Sequence, residues 1–74
     1  MKQGYLVYDQ LTRRMDFECA IETYYGGLHC GESFEAYIHH KWEQVSIEYD
    51  RQSDHWYLPQ HPLQELVGLL VRVK

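Results

Sequence analysis

The sequence predicts an all-β domain: a small SH3-like barrel of five or six short antiparallel strands, with one helical turn near the C-terminus. Three observations carry this expectation. Apolar and polar residues alternate over Met15–Ile21, Ser33–Ile38 and Trp42–Tyr49, the period of two that marks a half-buried strand. No segment has the length and 3.6-residue period of an ordinary helix. The chain has 74 residues, enough for one domain (1–74), and at that size closure hides strand edges that would invite aggregation.

In chain order, Tyr5–Tyr8 is a β-rich run that ends at the polar turn Asp9–Arg13. Met15, Phe17, Cys19 and Ile21 then share one face of a strand, with Asp16 and Glu18 on the other. The stretch Tyr24-Tyr25-Gly26-Gly27-Leu28-His29-Cys30-Gly31-Glu32 holds three of the five glycines and interrupts the alternation. It reads as a long irregular connection whose glycines supply positive φ. After it, Phe34, Ala36 and Ile38 point inward, and His39-His40-Lys41 turns the chain. Trp42–Tyr49 returns, with Val45, Ile47 and Tyr49 on one face. Trp42 has the parity of the polar face, which leaves it exposed or beyond a bulge.

Asp50–Asp54 is a polar turn, His55–Leu58 a short strand, and Pro59 its stop. Leu63 and Leu66 are three apart, the spacing of a single helical turn. In the closing run Gly68–Val73, Leu69, Val71 and Val73 face inward and Arg72 outward. A hairpin, a short strand, a single turn and a closing strand resemble the order of an SH3-like barrel. Such a fold names no function.

Composition narrows the function classes. Seven basic against eleven acidic residues give a net charge of -4, and the bases are scattered, with only Arg13-Arg14 adjacent. A nucleic-acid binder shows a basic patch or stripe, so charge argues against that class. Two cysteines, Cys19 and Cys30, do not build a disulfide framework. The N-terminus has no apolar run of signal-peptide length, and no stretch reaches the ~20 apolar residues of a membrane helix. The expectation is a soluble, cytoplasmic chain with reduced thiols and no membrane partner.

The loop Tyr24–Glu32, followed by Lys41-Trp42, Trp56-Tyr57-Leu58 and Val71-Arg72-Val73, resembles a family of short bacterial proteins classed as a domain of unknown function. Some members of that family are associated with mobile genetic elements. The resemblance covers most of the chain, and its specific part is the nine-residue loop. It implies no catalytic residue, ligand or partner. One departure is His39-His40, which stands where a tight-turn dipeptide is expected.

No residue pattern points to catalysis. Cys30 beside His29 suggests a nucleophile, but adjacent residues on an extended chain point to opposite sides, and a catalytic pair must meet in space. Structural zinc uses close pairs such as C-x₂₋₄-C or H-x₃₋₅-H; Cys19 and Cys30 make no such cysteine pair, and the H-x₅-H spacing of His55 and His61 alone does not make a site. Gly26-Gly27 lacks the Lys-Ser/Thr of a phosphate loop.

The aromatic residues are the stronger signal, because Tyr and Trp pack at one end and hydrogen-bond at the other. The reading is therefore a non-enzymatic interaction module without cofactor or metal. It binds a protein or peptide through residues near the loop: Tyr24, Tyr25, His29, Tyr37, Trp42 and Tyr57. The alternatives are a nucleic-acid-associated module, or an acidic inhibitor of a nucleic-acid enzyme encoded on a mobile element. The expected state is a monomer or weak homodimer.

Overall fold

The computed structural model describes residues 2–73. Among these, eight strands follow in order: β1 (Lys2–Asp9), β2 (Arg14–Ala20), β3 (Thr23–Tyr24), β4 (Ser33–Ile38), β5 (Lys41–Ser46), β6 (Glu48–Asp50), β7 (His55–Tyr57) and β8 (Leu70–Val73). Six of them form one antiparallel sheet in the order β3-β2-β1-β8-β4-β5, and β6 pairs with β7 in a separate hairpin. The all-β class is as the alternation requires, and the described residues contain no helix.

The sheet does not close into the barrel expected from the sequence. β3 and β5 end it on either side. β3, only two residues long, offers little edge to pair. The β5 edge is managed locally: Gln60 Oε1 accepts from Ser46 N at 3.2 Å, and Gln60 Nε2 donates to Ser46 Oγ at 3.2 Å. A side chain thus takes the place of a neighbouring strand.

The expected return strand Trp42–Tyr49 breaks at Ile47. Its N–H donates to Glu32 O at 3.1 Å and its carbonyl accepts from Gly31 N at 2.7 Å, so the loop holds this residue. Beyond it the chain leaves the sheet to build β6. The β4–β5 turn is tight, with Ile38 paired to Lys41 and only His39 and His40 between them. Both histidines have positive φ, 53° and 66°, as a two-residue hairpin of primed type requires.

One face of the sheet supplies Leu6, Met15, Phe17, Phe34, Ala36, Ile38, Val45 and Val71 to the core. Leu28 from the glycine loop, Ile47, Leu58, Leu66 and Leu69 cover it. Curvature brings β1 against β2 so closely that a Cβ on Gly4 would lie 1.8 Å from the Glu18 carbonyl oxygen. Ile21, expected on the inner face, is 92% exposed. β2 stops at Ala20, and Ile21 starts the turn in which Glu22 has φ 58°.

The helical turn expected at Leu63–Leu66 does not form. Three successive turns use the segment instead: His61 N to Leu58 O at 3.0 Å, Gln64 N to His61 O at 3.0 Å, and Leu69 N to Leu66 O at 2.9 Å. Pro59 and Pro62 occupy the second position of the first two, where fixed φ suits a turn. Gly68, at φ 89°, occupies the third position of the last, as a type II turn demands. Leu66 is buried while Leu63 is left in solvent.

Candidate functional site: an aromatic sheet face

The two adjacent tyrosines of the glycine loop diverge, as neighbours on extended chain must. Tyr25 turns inward and its ring stacks on Phe17 with centroids 4.8 Å apart. Its hydroxyl donates to Glu32 Oε2 at 2.8 Å. That bond, with burial and the carboxylate charge, raises the Tyr25 pKa above the usual phenol value. Glu32 also accepts from His29 N at 3.1 Å. The exposed His29 ring lies beside the same carboxylate, Nδ1 to Oε1 3.6 Å.

A second carboxylate holds the other end of the loop. Asp16 has the outward parity of β2 yet is buried, because the loop folds over it. Its Oδ1 accepts from Phe17 N at 2.8 Å and from Gly26 N at 3.1 Å. With Leu28 in the core, the loop is a structural plug pinned by Asp16 and Glu32.

The outer face of the sheet carries a different set. Tyr24 on β3 pairs with Glu18 on β2, which pairs with Tyr5 on β1, which pairs with Leu70 on β8. The Glu18 charge, before all other causes, raises the Tyr24 pKa. One step along from the Ala36–Val71 pair, Leu70 and Tyr37 come next to each other. Tyr37 pairs with Trp42 on β5, the rings edge-to-face with centroids 5.4 Å apart. The row crosses the whole sheet, and Tyr5, Tyr24 and Tyr37 are 58%, 51% and 40% exposed. Beside it, Arg72 places Cζ 4.0 Å from the Trp42 ring centroid while Nε donates to Glu35 Oε1 at 2.9 Å.

Of the six residues expected to bind, Tyr37 and Trp42 meet on this face, and Tyr24 stands at its far end. The register through Trp42 is unbroken, so no bulge displaces it. Tyr25 is committed to the loop and His29 to the loop tip. Tyr57 lies in the separate hairpin, its ring 6.1 Å from His55. Tyr5 and Arg72 were not singled out from the sequence. Only the β1-β8-β4-β5 strand order, a non-local property, sets them on this face.

Other chemistry does not assemble. Cys19 is half-buried beside the core and Cys30 is exposed, both as free thiols. Among the described residues no three side chains of His, Cys, Asp or Glu converge as a metal site would need. His61 Nε2 approaches Glu43 Oε2 to 2.9 Å, Lys41 Nζ lies 4.0 Å from Glu43 Oε1, and the His39 and His61 rings meet edge-to-face at 6.1 Å.

A protein from Ruminococcus gnavus, known from its crystal structure, is 42% identical to this chain, with a TM-score of 0.84 over 97% of this chain and 100% of that one. No curated protein shows significant similarity. The model of a domain of unknown function, DUF5348, matches residues 4–73. The chain belongs to that DUF5348 family.

Proposed function

We propose that this domain is a non-enzymatic binding module whose outer sheet face takes a protein or peptide segment. The observation that carries the reading is the Tyr37–Trp42–Arg72 cluster. These are the residue types that dominate binding energy at interfaces. Here their side chains are held in place before any partner arrives: Trp42 between Tyr37 and Arg72, and Arg72 by Glu35. Preorganisation lowers the entropy lost on binding. The face extends through Tyr5 to Tyr24, a span suited to an extended segment.

Charge favours a protein partner over nucleic acid. The same face carries Glu18 and Glu35, and Arg72 is already matched with Glu35. A phosphate backbone would meet carboxylates and little free positive charge.

The test is a pull-down from host lysate with the tagged chain, with and without nuclease, beside a Tyr5→Ala/Tyr37→Ala variant. The expected result is a discrete protein that resists nuclease and is lost with the variant. Signal removed by nuclease, or a partner retained by a folded variant, would contradict the reading.

A further inference from the structure

A second site lies away from the aromatic face. A groove of about 640 Å³ opens between the β1–β2 turn, the β6–β7 hairpin and the segment 64–67. That volume falls in the range of small-molecule sites, ~300–1,000 Å³. Met15 and Leu66, both buried, reach it from the core, and Trp56 and Tyr49 line it with rings 5.2 Å apart. Trp56 Nε1 donates to Arg13 O at 3.1 Å, tying the turn to the opposite wall. Arg13 is held at φ 59°, a conformation unusual for a side-chain-bearing residue.

The charges at the rim are unequal in their commitments. Arg13 and Arg14 border the groove, and among the described residues neither has a carboxylate within ion-pair distance. In a chain of net charge -4, two adjacent unmatched guanidinium groups are conspicuous. Asp54, also at the rim, is occupied by the Tyr49 hydroxyl. Glu65 stands on the 64–67 wall, so the Arg13–Arg14 turn is the cationic end.

We infer that this groove binds a small planar aromatic anion, its ring against Trp56 and Tyr49 and its carboxylate or phosphate toward Arg13 and Arg14. Guanidinium groups suit either anion because their donors form a planar fork. The site is independent of the sheet face and stands or falls separately.

The test is a ¹H–¹⁵N titration of the wild-type chain with two matched pairs: indole-3-acetate against indole-3-acetamide, and adenosine monophosphate against adenosine. In at least one pair the anion is expected to bind about tenfold or more tightly than its neutral analogue, a difference of about 1.4 kcal/mol. The perturbation should centre on the Trp56 indole N–H. Whichever pair shows the preference names the anion, carboxylate or phosphate. Arg13→Gln/Arg14→Gln should abolish the preference while leaving the spectrum of the core unchanged. Equal binding of anion and neutral analogue would overturn the inference. So would shifts confined to the Tyr37–Trp42 face, or no shift at Trp56 with any of the four at millimolar concentration.

Discussion

The Arg72 guanidinium carbon sits 4.0 Å from the centroid of the Trp42 ring on the outer face of the sheet. The two residues come from strands β8 and β5, which lie on either side of β4 in the sheet. Cation–π attraction at an exposed site is worth about 0.5–1 kcal/mol. The Glu35 pair, its side chains 22% and 20% exposed, adds about a similar amount. Arg72→Met should therefore lower stability by about 1 kcal/mol and change Trp42 fluorescence, with the fold intact by circular dichroism.

Gly4 is the position least able to change. A methyl group there would meet the Glu18 carbonyl oxygen at 1.8 Å. Backbone must move to admit it, and overpacking against backbone is among the costlier substitutions. Gly4→Ala should destabilise by more than about 3 kcal/mol, read by urea denaturation. A Gly4→Ala chain of wild-type stability would show that β1 and β2 are not so close.

Asp16 should separate loop order from core packing. Asp16→Ala leaves the Gly26 and Phe17 amides without their acceptor, at a cost of about 1–3 kcal/mol. Asp16→Asn keeps an oxygen in place and should lose less. Hydrogen exchange at Gly26 should quicken in the alanine variant first.

The Tyr25–Glu32 bond makes stability fall in alkali. The folded state raises the Tyr25 pKa, chiefly through this hydrogen bond, so it favours the protonated phenol. That contribution is complete below the unfolded value, about 10. It is lost as pH rises through the higher folded value. Tyr25→Phe should cost about 1 kcal/mol at neutral pH and flatten the decline in this alkaline window. An equally steep decline in the variant would assign the effect to another group.

Gln60 guards the β5 edge through Ser46. Gln60→Ala should change monomer stability by no more than about 0.5 kcal/mol but increase self-association, measured by sedimentation across a concentration series. Unchanged sedimentation would mean that inward Glu43 and the neighbouring turns suffice to block the edge.

Much of this architecture is legible from residue order, and the failures have physical causes. Period-two alternation located Phe17 and Cys19, Phe34 to Ile38, and Leu69 to Val73 on the inner face. It misplaced Ile21 because β2 ends one residue earlier, and it put Asp16 in solvent because a loop distant in sequence folds over it. The barrel was inferred from edge avoidance in general, whereas this chain blocks β5 with one glutamine. A 3-residue leucine spacing suggested a helical turn, but Pro59, Pro62 and Gly68 each close a separate turn. Trp42 and Tyr37 were visible by parity. Tyr5 and Arg72 join them only through strand order.

The central claim is that the Tyr37–Trp42–Arg72 face is where a protein segment binds. Its most direct test is photo-crosslinking in host lysate with benzoylphenylalanine placed at position 37. The same group at position 63, where Leu63 is 98% exposed, serves as the control. The expected result is one nuclease-resistant protein adduct from position 37, absent from position 63 and lost when Trp42→Ala is added. Adducts from position 63 alone, or from both positions alike, would contradict the claim.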